Sequence, residues 1–300
     1  MALWIPITLL AAFAQNLRFM LQKHLKDTSL SSGGATLSRF LYSFPLAGVL
    51  VWTYASLSDQ ALPETSPRFW AFALAGAISQ IIATMCVVSI FQHRNFAIGI
   101  TFKKTEVIQT AIIGFVLLGE GLHPLALVAI FIGLAGVLVL SDPPKAEGRW
   151  RDRIWNRAAG LGLLSGVLFG MSSIGYRGAS LSLEQPDPFL AAMMTLALVT
   201  FSQTILLSAW LAARERGEIT RVLRSWRISR WVGLTSMIGS LGWFTAFTLQ
   251  NAAYVKALGQ VELVFAFLAS QFFFSEKTSR REVMGVGLIV LSILVLILSL

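Results

Sequence analysis

Two glutamates, Glu106 and Glu262, lie deep inside apolar stretches of this 300-residue chain, about eleven and nine residues from where those stretches begin. A carboxylate at that depth costs several kcal/mol unless it faces a polar cavity or a partner. Each is therefore a candidate for binding a cationic or zwitterionic solute, or a coupling proton, because desolvation can raise a carboxyl pKa towards neutrality. The competing reading is structural: Glu106 paired with Lys103 one turn earlier, Glu262 paired with a neighbouring helix. Lys103 and Lys104 are adjacent in sequence and so point about 100° apart on a helix. Lys103 is the better partner for Glu106, which leaves Lys104 for an anionic group of a substrate, such as a carboxylate or phosphate. One or both lysines could instead lie near a helix break or snorkel to an interface.

Near the N-terminus, Gln15, Arg18 and Gln22 recur at i, i+3 and i+7 and form one polar stripe, with Asn16 off it. Arg18 is deep enough to need a partner, whereas Arg39 could reach the interface by snorkelling. Gln250, Asn251, Tyr254 and Lys256 cluster at a short connection, where they could gate a cavity or only satisfy exposed backbone. Glu120 and Glu276 open turns and read as helix caps or partners of loop cations. Trp70, Trp150, Trp155, Trp231 and Trp243 read as interfacial anchors or lipid-facing packing.

The elements that position these residues follow from composition. With 55% hydrophobic and only 13% charged residues, the chain has too little polar surface for a soluble globule. Apolar windows give ten spans, near 2–22, 35–57, 68–91, 95–118, 124–141, 158–178, 188–212, 231–249, 253–274 and 283–300. The segment from Met1 lacks a basic n-region and a small-residue cleavage site, and reads as the first span of the mature protein. Cys86 is the single cysteine, so no intrachain disulfide or cysteine metal cluster can form. The net charge of +9 comes with no nucleic-acid module. Basic residues gather in the loops after spans 1, 3, 5, 7 and 9, from Lys23 and Lys26 to Lys277, Arg280 and Arg281. The opposite loops hold little beyond Arg68 and Arg177. The positive-inside rule then puts both termini outside the cytoplasm. Arg221, Arg224 and Arg227 recur at helical spacing between Arg214 and Arg230, as in a helix lying among lipid headgroups or a solvated basic loop.

The chain also matches itself at an offset of 156 residues: Glu106 and Glu120 are fourteen apart, as are Glu262 and Glu276. The stretch from Phe91 and Asn95 to the Glu120 turn parallels that from Phe247 and Asn251 to the Glu276 turn. The expected organisation is a first five-helix repeat over 1–141, a basic linker over 142–157 and a second repeat over 158–300. An odd number of spans per repeat inverts the second copy in the membrane, an architecture that secondary transporters use to rock around a midplane site. Opposite Lys103 and Lys104 stand Gly259 and Gln260, so the cavity would be electrostatically lopsided and suited to a solute with separated charges.

Leu117-Leu118-Gly119-Glu120 followed by Gly133-Leu134-Ala135-Gly136-Val137, and Phe274-Ser275-Glu276 followed by Gly285-Val286-Gly287, resemble the repeat ends of EamA-type proteins of the drug/metabolite transporter superfamily. The resemblance covers essentially the whole chain. It implies an all-α integral membrane protein of ten helices in two inverted repeats, with spans 5 and 10 structural and the others around a central cavity. It also implies solute transport without a cofactor, in a cell membrane such as the bacterial inner membrane. A monomer suffices, and dimers occur in the superfamily. The family's termini are usually cytoplasmic, against the loop charges. Lys103-Lys104-Thr105-Glu106 replaces the family's apolar or proline-containing stretch, so substrates do not carry over. Span 1 lacks the glutamate of the small multidrug members.

His24, His93 and His123 fall at span ends, and no HExxH, Asp-rich or GxSxG motif occurs, so an enzyme is not expected. Nothing resembles a channel filter. The expected function is alternating-access export or exchange of a small polar metabolite, zwitterionic or anionic, with proton coupling an option. A flippase for a lipid-linked phosphate or sugar, or a multidrug exporter, is the alternative. The expected site comprises Glu106, Lys103, Lys104, Glu262, Gln15, Arg18 and Gln260.

Overall fold

A computed structural model describes residues 2–28, 30–90, 102–141, 157–274 and 279–299. The basic linker over 142–156, the start of span 4 with Phe91 and Asn95, and the Glu276 turn lie outside the described residues. Trp150 and Trp155 fall there too, as do His93, Lys145 and Lys277.

The described residues form twelve α-helices and no strand: α1 Trp4–Thr28, α2 Ser32–Leu57, α3 Pro67–Ile90, α4 Glu106–Leu118, α5 Pro124–Ser141, α6 Arg157–Leu181, α7 Pro188–Arg214, α8 Glu218–Arg224, α9 Trp226–Leu249, α10 Ala252–Leu258, α11 Val261–Phe274 and α12 Arg280–Leu298. Six of them, α2, α3, α6, α7, α9 and α12, are long and apolar enough to cross a membrane, and α4 and α5 are shorter apolar helices. Apolar side chains such as Trp52, Phe115, Val116, Phe131 and Leu294 face outward, while Thr8, Arg18, Arg39, Thr195 and Gln203 are buried. That inversion of the soluble pattern fits a bilayer as the solvent.

The interfaces relate the two repeats. The most extensive join α3 to α6, α5 to α12, α1 to α9 and α2 to α7. Exchanging the repeats turns the α3–α6 pair into the α9–α1 pair and maps the other two onto themselves. Small residues permit close approach at these crossings: a Cβ on Gly136 would stand 2.8 Å from the Gly285 carbonyl, and one on Gly175 would stand 2.9 Å from the Gly76 Cα. Such packing is the means by which helices associate without a hydrophobic driving force.

The Arg214 to Arg230 segment is ordered by one buried acid. Glu218, at the start of α8, accepts from the Ser31 backbone N–H at 2.5 Å and pairs with Arg221 at 2.7 Å. It thereby holds Ser31, which caps α2 by accepting from Gly34 N–H, and Val222 buries beside it while Leu223 stays exposed.

Candidate functional site

Spans 4 and 9 are interrupted at matching positions. Phe102 and Lys103 are helical, Lys104 and Thr105 turn, and α4 begins at Glu106. In the second repeat α10 ends at Leu258, Gly259 and Gln260 turn, and α11 begins at Val261. Both turns are tightened by i to i+3 bonds, Thr105 N–H to Phe102 O at 3.2 Å and Gln260 N–H to Ala257 O at 3.2 Å. Each break delivers a glutamate to the first turn of a half-helix, where the partial positive charge of free N–H groups favours a carboxylate.

The charges at these breaks pair across the repeats. Lys104 forms an ion pair with Glu262, and Gln15 Nε2 donates to the same carboxylate at 3.0 Å. Asn16, off the α1 stripe, donates to the Glu262 backbone carbonyl at 3.2 Å. Glu106 lies 3.6 Å from Lys103 Nζ, one turn back, and 3.7 Å from Lys256 Nζ of α10. Glu106, Lys103 and Lys104 are buried to within 7% exposure, so these charges are settled by partners and not by bulk water.

A narrow cleft lies beside this cluster. Gln15, Arg18, Lys103 and Glu106 line it, together with Arg39 and Lys256. Among the described lining residues, cations outnumber the one carboxylate. Lys104 and Gln260 line instead a smaller crevice towards α5 and α12, and Glu262 lines neither. Of the expected set, the structure brings four residues into one cleft and leaves Lys104, Glu262 and Gln260 around the break behind it.

Arg39 corrects the snorkelling expectation: it points inward, 6% exposed. Its Nε donates to Ser236 Oγ at 3.0 Å and its Nη2 to Ser240 Oγ at 3.3 Å, both on α9. With the Gln80 amide oxygen towards it, both Nη atoms donate at 3.0 Å, and the amide nitrogen meets the Tyr176 hydroxyl. That hydroxyl accepts from Gln203 Nε2 at 3.0 Å and donates to the Gly76 carbonyl at 3.2 Å. Arg39 is thus held by neutral groups that fix its direction and leave its charge for something else. Arg18 Nη1 donates to Gln22 Oε1 at 2.7 Å, and Gln22 passes on to the Ala35 carbonyl, so the α1 stripe ties down α2.

The remaining wall is aromatic. Tyr176 and Phe244 stack at 4.3 Å, and Lys256 Nζ lies 5.4 Å from the Trp243 ring and 5.7 Å from that of Phe169. Trp243 is therefore a cleft residue and not an interfacial anchor, whereas Trp231 is exposed as expected. Asn251 caps α10 through the Ala253 N–H at 2.8 Å, and Tyr254 accepts from the His123 N–H at 3.2 Å; both are structural. Lys256, of the same cluster, lines the cleft. Glu120 pairs with Arg177 at 2.6 Å, and Arg177 also donates to the carbonyls of Phe247 and Gln250 at the end of α9.

Sequence reasoning passed over Gln80 and Tyr176, sent Arg39 to the interface and Trp243 to the lipid or interface, and left Lys256 between gating a cavity and satisfying a turn, whereas all five line the cleft. Gln80 and Gln203 had a usable signal, since an amide in mid-span needs a partner as a charge does.

A family model described as the EamA-like transporter family matches residues 2–142 and again residues 156–298. No curated protein matches the sequence. Among solved structures, one described as "Crystal structure of protein" superposes with a TM-score of 0.69 over 98% of this chain and 95% of that chain. The two are 13% identical, so the likeness is one of fold.

Proposed function

The chain belongs to the EamA-like transporter family, and from that premise we propose that it is an alternating-access carrier that exports or exchanges a small anionic metabolite through the cleft beside the two helix breaks. The single observation that carries this reading is the charge excess of the cleft, in which Arg39, Lys103 and Lys256 gather around Glu106, the one carboxylate among its described lining residues. Two lysines that share one carboxylate, beside an arginine held by neutral groups, leave positive charge in excess, and an anionic solute would offset the cost of burying it while it is bound. The same excess disfavours the multidrug-cation alternative and narrows the zwitterionic one.

In this reading ten spans, with spans 4 and 9 each broken, form two inverted five-helix repeats over 1–141 and 158–300. Glu262 and Lys104 tether the repeats behind the cleft, and Arg39 and Lys256 contact solute. The protein sits in a cell membrane such as the bacterial inner membrane, with termini outside the cytoplasm by loop charge. It acts as a carrier and not as an enzyme, and one chain supplies both halves of the site.

The test is thermal stability of the purified protein in detergent against amino acids, polyamines, nucleotide sugars, sugar phosphates and dicarboxylates. A ligand that binds the folded state raises the melting temperature. Shifts are expected from the phosphates or dicarboxylates and not from polyamines. A shift from polyamines alone contradicts the reading. No shift from any soluble compound favours a flippase for a lipid-linked phosphate, which would draw on the same cations.

A further inference from the structure

Glu106 sits between lysines from different repeats, with Lys103 Nζ 3.6 Å from Oε2 and Lys256 Nζ 3.7 Å from Oε1. Both separations exceed the roughly 2.7–2.9 Å of a well-formed charge-assisted hydrogen bond. Each ammonium is also held by aromatic faces, Lys103 over Phe169 at 5.1 Å and Lys256 over Phe169, Trp243 and Phe247 within 5.9 Å. The lysines are thus positioned by more than the carboxylate and can serve a second anion at the same place.

We infer that Glu106 is an internal counter-anion which a bound anionic solute displaces from Lys103 and Lys256, and that the displaced carboxylate takes up one proton, so that solute and proton bind together. The inference rests on the anion reading above and adds the coupling ion. The groups that face Glu106 are Lys103 and Lys104 at its own break and Lys256 of α10. Arg18 and Arg39 lie across the cleft, and α6 contributes Phe169, Ser172, Ser173 and Tyr176, none a carboxylate or a cation. Lys104 is occupied by Glu262. A solute that draws off Lys103 and Lys256 removes the cations favouring the ionised carboxyl and sets a like charge beside it. Both changes favour the neutral acid. The proton comes from hydronium or the acid form of the buffer in bulk solution, whose bond to it breaks as the carboxyl O–H bond forms, and the buffer keeps the balancing negative charge.

The test uses two dianions that do not titrate near neutral pH, inorganic sulfate and benzene-1,3-disulfonate, added to the detergent-purified full chain. Calorimetric titration in two buffers of different ionisation enthalpy counts protons taken up per anion bound. The wild type is expected to take up close to one proton, so that anion affinity falls by up to tenfold per pH unit as pH rises. Glu106→Gln is expected to bind the anion with no proton uptake. Binding without uptake in the wild type, or undiminished uptake in Glu106→Gln, overturns the inference and leaves the anion reading standing. Failure of both dianions to bind overturns the anion reading and the inference together. If Glu106→Gln does not purify folded, the wild-type proton count alone decides.

Discussion

Arg39 lies two turns into α2, where its guanidinium is gripped by Ser236, Ser240 and Gln80 and aimed by the Tyr176 hydroxyl behind Gln80. A hydrogen bond to a charged group contributes about 1.5–3 kcal/mol, so Arg39→Gln should weaken anion binding by roughly tenfold or more. Tyr176→Phe keeps the charge and loosens only its support, so a smaller loss is expected. Titration calorimetry separates the two, and an unchanged affinity in Arg39→Gln would remove the residue from the site. The pairing of Lys103 with Glu106 was legible in sequence because both lie one turn apart on one segment. Arg39 was not, because distance from a span end does not say whether a side chain faces lipid, interface or a neighbouring helix. Lys256 was left between a gate and a turn for a related reason: it lies at the start of span 9, and the capping of α10 by Asn251 shows that it stands on helix.

At the scale of elements, the offset of 156 residues announced the repeat, and the breaks in spans 4 and 9 fall within one residue of that register. The sequence left a break among several fates for Lys103 and Lys104, because Lys104-Thr105 carries no glycine or proline to mark a turn. Another junction is set by Asp187, which caps α7 by accepting from Phe189 N–H at 2.9 Å and accepts from Tyr54 Oη of α2 at 2.8 Å and from Gln60 Nε2, in the turn after α2, at 3.2 Å. Partial burial alone would raise its pKa, but these hydrogen bonds outweigh it and hold the carboxyl below its usual value. The stabilisation is therefore complete above the ordinary carboxylate range and disappears as pH falls through the lowered value. Asp187→Ala should cost about 1 kcal/mol at neutral pH, as a lost cap does. Melting curves should show the gap between wild type and variant closing in acid. A gap that is constant with pH would assign the loss to packing instead.

For the whole molecule, the interfaces that hold the fold are those between repeats, and two of them, α3–α6 and α1–α9, enclose the polar cleft. The ion pair between Lys104 and Glu262 belongs to the same cross-repeat framework, as does that between Lys256 and Glu106. Pattern and composition expose spans, repeat and charge depth, but pairing across repeats exists only once the halves are packed. The account's central claim is that this framework carries a small anion across the membrane. It is tested most directly by flux into proteoliposomes, with radiolabelled phosphate, a sugar phosphate and a dicarboxylate supplied outside and the unlabelled compounds inside. Saturable uptake of at least one of these anions by the wild type, lost in Arg39→Gln, is the predicted result. Uptake of an organic cation in their place, or anion flux undiminished by Arg39→Gln, would contradict it.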